Sequence, residues 1–177
     1  MGNQLPSCVQ DIMRTLILTL ITILATTACS HNAGKIPFPE IIPFPEKVET
    51  GNGTFCAKGA DVICSSDLDS LTCNYINEFA GHLALVSGPA PSKTRIIFSK
   101  DDSLGPEQYT IKITGRKARV KASTLNGFVY ATQTLKQMMP VEIYGSEPAP
   151  DADWNLPCCT ISDTPRFGYR GMLLDVA

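Results

Sequence analysis

The chain has 177 residues, enough for one ordinary domain with its own core and short for two. Its 15 Lys and Arg stand against 17 Asp and Glu, for a net charge of −2, so there is no basic excess to neutralise phosphates and no nucleic-acid partner is expected. The 44% apolar fraction is ordinary for a globular protein, but part of it is concentrated near the N-terminus.

That concentration is Thr15 to Ala28, TLILTLITILATTA, an uncharged run preceded by Arg14. A helix crossing a bilayer needs roughly 20 apolar residues, so the run fits the apolar part of a signal peptide better than a span. Thr26, Thr27 and Ala28 directly before Cys29 resemble the processing box of bacterial lipoproteins, in which Cys29 becomes the lipidated first residue. A plain secretory signal and a retained anchor are the alternatives. The expectation is a signal peptide over 1–28, export, and a lipid anchor holding the protein to a membrane in the periplasm or at the cell surface.

Residues 29–40 read as a Pro-rich tether leading into the domain. IPFPE occurs at Ile36 and again at Ile42, and Pro37, Pro39, Pro43 and Pro45 forbid a helix. In KVETGNGTF, Gly51 to Gly53 can turn between two short extended pieces. Five cysteines remain beyond the leader: Cys56, Cys64, Cys73, Cys158 and Cys159. Their spacings match no zinc pattern, so small buried side chains with one disulfide among them are expected, and no metal or cofactor.

Leu68, Leu71, Tyr75, Ile76, Phe79 and Leu83 form one stripe of an amphipathic helix over 66–86, with Ser66 or Asp67 as cap and Gly88-Pro89 as stop. TRIIFSK, Thr94 to Lys100, reads as a strand. Tyr109, Ile111 and Ile113, then Ala118, Val120 and Ala122, alternate with polar residues around a turn at 114–117, a hairpin whose other face carries Lys112, Arg119 and Lys121. Phe128, Ala131, Leu135 and Met138 mark a second helix, ended by Pro140. Residues 145–157 read as a loop. The expected class is α+β: a small sheet with two helices packed mainly on one face.

The last segment, CCTISDTPRFGYRGMLLDVA, carries Ile161, Asp163, Pro165, Arg166, Phe167, Tyr169, Arg170, Gly171, Leu174 and Asp175 in an Ile-x-Asp-x-Pro-Arg-Phe-x-Tyr-Arg-Gly pattern. This resembles the junction leading into the first strand of the catalytic (β/α)₈ barrel in the beta-N-acetylhexosaminidases of glycoside hydrolase family 20. IIPFPEKVE and GFVYATQTLKQMMP resemble the start and the closing helix of that family's N-terminal accessory domain. The resemblance covers about residues 36 to 177. It implies an accessory domain over 41–160 and, over 161–177, the start of a truncated barrel, since a barrel needs roughly 250 residues.

In that family the sugar's own acetamido oxygen attacks the anomeric carbon, an Asp orients it and the adjacent Glu protonates the leaving oxygen. No Asp-Glu dipeptide occurs in this chain. The resemblance therefore implies no catalytic residue here, an inactive fragment, and glycans ending in N-acetylglucosamine or N-acetylgalactosamine as partners of the intact enzyme only. The one site residue it carries over is Arg170, as a ligand of the terminal sugar's hydroxyls; the competing role is a structural ion pair with Asp163 or Asp175. Arg166 reads as junction packing. The functional alternative is a non-catalytic, lipid-anchored module binding a glycan or a protein partner. A zinc-protease reading has no His-Glu-x-x-His to rest on. His31 and His82 have no partner at ligand or triad spacing, and the acidic pairs Asp67/Asp69, Asp101/Asp102 and Asp151/Asp153 sit where caps and turns are expected.

Overall fold

The computed structural model describes residues 37–89 and 93–171, all within one compact unit. The leader, Cys29, His31 and the apolar run expected to open a barrel at 172–177 lie outside the described residues. In chain order the elements are β1 (Lys47–Cys56), β2 (Asp61–Cys64), α1 (Ser70–Ser87), β3 (Arg95–Lys100), β4 (Tyr109–Thr114), β5 (Lys117–Ala122), α2 (Leu125–Met138), a 3₁₀ turn (Val141–Tyr144) and β6 (Asn155–Asp163). The six strands form one mixed sheet in the order β1-β6-β4-β5-β3-β2, in which β3 is parallel to both β2 and β5 and every other pairing is antiparallel.

The α+β layout expected from the sequence is the one observed. The inward residues of the strands, among them Ile96, Phe98, Ile111, Ile113, Val120 and Ile161, are buried against Ile76, Phe79 and Leu83 of α1 and Phe128, Ala131 and Leu135 of α2. Phe98 joins the two helices to the sheet, its ring centroid 6.2 Å from Phe79 and 6.1 Å from Phe128. Gly127 lets α2 approach this closely. A Cβ there would stand 2.7 Å from the Gln108 carbonyl oxygen and 2.8 Å from the Ala122 methyl, distances that real side chains do not reach.

Several local expectations are corrected. Helix α1 begins at Ser70 and is capped by Asp69, which accepts the Thr72 amide (2.9 Å) and hydroxyl (2.7 Å). Asp67 instead accepts the Lys100 amide, which leaves Leu68 before the helix and Leu71 exposed. The glycines at 51–53 do not turn the chain: β1 runs straight through, with a bulge that sets three residues opposite Cys158 alone. Gly51 passes the Cys158 carbonyl where a Cβ would lie 3.2 Å away, and Gly53 sits at φ 95°, where glycine is favoured. Residues 155–157 belong to a strand, and β6 runs on to Asp163, so the boundary read at 160 falls inside it.

Among the described residues one disulfide forms, Cys64–Cys73, tying the end of β2 to the first turn of α1. Cys158 and Cys159 are buried, and burial pushes the Cys159 thiol up to about 12, so it stays protonated and inert. With a sequence separation of 9, the bond removes a loop worth about 2–3 kcal/mol of denatured-state entropy. Reduction, or Cys64→Ser with Cys73→Ser, should lower the melting temperature accordingly; an unchanged melt would mean that the link constrains nothing.

Candidate functional site

Where β6 leaves the sheet, the chain from Ile161 to Gly171 meets Tyr130 of α2 and the loop that carries Glu107. Ile161 is fully buried, paired with Val48 of β1 and Ile111 of β4. Asp163 accepts the amide of Glu46 (3.0 Å) and the hydroxyl of Tyr109 (3.1 Å), so it fastens the entry of the domain to its exit. Tyr109 is itself buried and shares a 2.6 Å hydrogen bond with Thr134 of α2; burial raises its phenol above the usual range and keeps it a neutral donor.

Arg170 meets the domain on Glu107 and Tyr130. Its Nη2 donates to Glu107 Oε1 at 2.7 Å and to the Tyr130 hydroxyl at 2.9 Å, while Nη1 donates to the Phe167 carbonyl at 2.6 Å. Tyr130 in turn donates to Glu107 Oε1 (2.9 Å), and the guanidinium carbon stands 5.6 Å from the Tyr130 ring centre. The Arg170 hydrogen bond, then the Tyr130 one, holds the Glu107 carboxyl below the usual range, and the same pair raises Arg170.

Glu107 is presented by the loop between β3 and β4, which is pinned to the start of α2. Ser123 donates to the Gly105 carbonyl (2.9 Å), Thr124 to the Pro106 carbonyl, and the Gly105 amide to the Gln108 side chain (3.0 Å). Among the described residues the carboxylate partner of Arg170 is thus Glu107 and not Asp163, which is engaged elsewhere; Asp175 lies outside the described residues. Glu107 and Tyr130 were not legible as partners of Arg170: one sits in a Gly-Pro-Glu loop, the other one position off the buried stripe of α2. Phe167 and Tyr169, between these contacts, are 67% and 88% exposed.

The other candidates hold structural places. His82 Nε2 donates to the Ile143 carbonyl at 2.7 Å. Asp101 accepts from Ser103 and Lys121, and Asp153 from Asn155. Among the described residues no cluster of three or more His, Cys, Asp or Glu could hold a metal, and no helix is long and apolar enough to cross a membrane. The described carboxylate beside Arg170 is that of Glu107, and it is paired with the guanidinium itself.

The family model for glycosyl hydrolase family 20, domain 2, matches residues 38–164. The chain belongs to glycosyl hydrolase family 20. The matched residues are the accessory domain of that family. Curated relatives include a beta-hexosaminidase of Porphyromonas gingivalis, 29% identical over 87% of this chain and 22% of its own length, and one of Vibrio furnissii, 26% identical over 89% and 26%. The chain thus spans about a quarter of the length of these relatives. Among solved structures, the family 20 beta-N-acetylhexosaminidase of Streptomyces coelicolor A3(2) superposes with a TM-score of 0.65 at 23% identity, covering 78% of this chain and 29% of that one. The Streptomyces plicatus N-acetyl-beta-hexosaminidase gives 0.63 at 22%, covering 76% and 28%. At these identities the family 20 structures establish the shared fold.

Proposed function

We propose that this chain is the N-terminal part of an exported, lipid-anchored beta-N-acetylhexosaminidase that removes terminal N-acetylglucosamine or N-acetylgalactosamine from glycans by substrate-assisted catalysis. By itself the chain is inactive. The carrying observation is the family 20 domain 2 match over 38–164, overlapped at its end by the junction pattern that runs from Ile161 to Gly171 and holds Arg170. The relatives named as hexosaminidases supply the substrate class. The exposed rings of Phe167 and Tyr169 beside the junction support the reading that a catalytic body packs there. The disulfide supports export, because such bonds persist in oxidising compartments.

On this reading Arg170 binds hydroxyls of the terminal sugar in the intact enzyme, its planar fork suiting vicinal oxygens. Glu107 and Tyr130 then act as positioning residues that fix the guanidinium from the accessory domain. The acetamide-orienting Asp and the proton-donating Glu belong to the barrel. The purified chain, assayed on an aryl N-acetylglucosaminide, is expected to show no turnover above background; measurable turnover would mean that the chemistry has been put in the wrong part of the enzyme.

A further inference from the structure

We infer that the sheet face turned away from the helices binds a sulfated, hexosamine-containing polysaccharide. The hexosamine rests on the function proposed above; the sulfate and the polymer rest on the face itself. On β3, β4 and β5, the outward positions hold Arg95, Lys112, Lys117, Arg119 and Lys121 and no carboxylate. Lys112 stands directly opposite Arg119, and Lys117 directly opposite Arg95. Like charges facing one another across a ladder are destabilising, and only Lys121 of the five has a described carboxylate within salt-bridge distance, Asp101 at 3.1 Å. Two acids share this face: Glu49 on β1, paired with Lys47, lines the same groove as Lys112 and feels its charge, and Asp61 on β2 stands directly opposite Arg95. Five of the 15 cations of a chain of net charge −2 therefore stand together on the three adjacent strands β4, β5 and β3, with the like charges of Lys112 and Arg119 directly across a ladder.

Continuous with Lys112 is an open groove of ≈ 370 Å³ along β1, β6 and β4, where Thr50, Asn52 and Thr160 offer hydroxyl and amide groups and Glu49, paired with Lys47, adds a carboxylate at the β1 side. Sugar hydroxyls match such groups, and anionic substituents match the cations beside them. The outward positions of β3, β4 and β5 carry no aromatic ring on which an unpaired base could stack, and the face of a six-stranded sheet is too broad to enter a duplex groove. The combination favours a polysaccharide over nucleic acid.

The test is equilibrium binding of the full chain to immobilised chondroitin sulfate. Saturable binding that weakens as salt rises is expected, and Lys112→Gln with Arg119→Gln should weaken it by about tenfold or more while the melting temperature holds or rises, since a repulsive pair is gone. Lys136→Gln with Arg166→Gln, removing the same charge elsewhere, should change it by less than about twofold. No binding at low salt would overturn the inference, as would equal losses in the two variants. Equally tight binding to phosphatidylglycerol vesicles or duplex DNA, or displacement by inorganic sulfate at the polymer's own sulfate concentration, would replace the polysaccharide with a nonspecific or small-anion surface. None of these results bears on whether the chain hydrolyses an aryl glycoside, so this inference and the proposed function fail separately.

Discussion

Ending the chain after Thr160 is expected to abolish its cooperative thermal transition, whereas ending it after Pro165 should preserve it. β6 lies between β1 and β4, so its last three residues close both ladders: Ile161 pairs with Val48 and Ile111, Ser162 with Lys47 and Thr110, and Asp163 with Tyr109. Losing the fully buried Ile161 removes about 1.5–3 kcal/mol of apolar burial. Each ladder or Asp163 hydrogen bond adds about 0.5–1.5 kcal/mol, and the Glu46 amide and Tyr109 hydroxyl lose an acceptor together. Against a total stability of about 5–15 kcal/mol, the sum removes most of the margin. Circular dichroism melts of the two truncations decide it. Identical melts would place the end of the domain at 160 after all.

Phe98→Ala should cost about 3–5 kcal/mol, the largest loss from any single side chain considered. Phe98 is completely buried and touches rings from both helices, so its removal opens a cavity where α1, α2 and β3 meet, and neither helix can move in without leaving its own strand contacts. Chemical denaturation should show a lower midpoint with an unchanged slope, because the same surface is exposed on unfolding. A loss below about 1 kcal/mol would mean that the core repacks around this position and that the aromatic trio does not organise the helices.

The local pattern of the sequence carried much of the fold because burial imposes a period on it. Tyr109, Ile111 and Ile113 alternate and are buried alternately in β4; Phe128, Ala131 and Leu135 recur at helical spacing and face the sheet in α2. Where burial is continuous or absent, the period vanishes. β6 is buried from Leu156 through Cys159, with a proline inside, and β2 has only four residues, so neither announces itself. The glycines at 51–53 are as compatible with a turn as with a bulge, and only the presence of β6 alongside selects the bulge.

The site divides in the same way. Residue identities along Ile161 to Gly171 were enough to indicate the family and to single out Arg170, because such a junction pattern is a property of consecutive residues. That Arg170 rests on Glu107, 63 positions earlier, and on Tyr130, 40 earlier, could not be read there, since salt-bridge partners leave no periodic trace in a chain. The basic face was legible only in part: the alternation of the hairpin put Lys112, Arg119 and Lys121 on one side, but that Lys117 lies against Arg95 follows only from the pairing of β5 with β3. The sequence by itself determined the apolar periods, the glycines and the junction pattern, all of which act between near neighbours. Which distant charges became neighbours was decided by the register of the sheet, because register alone converts separation along the chain into distance in space.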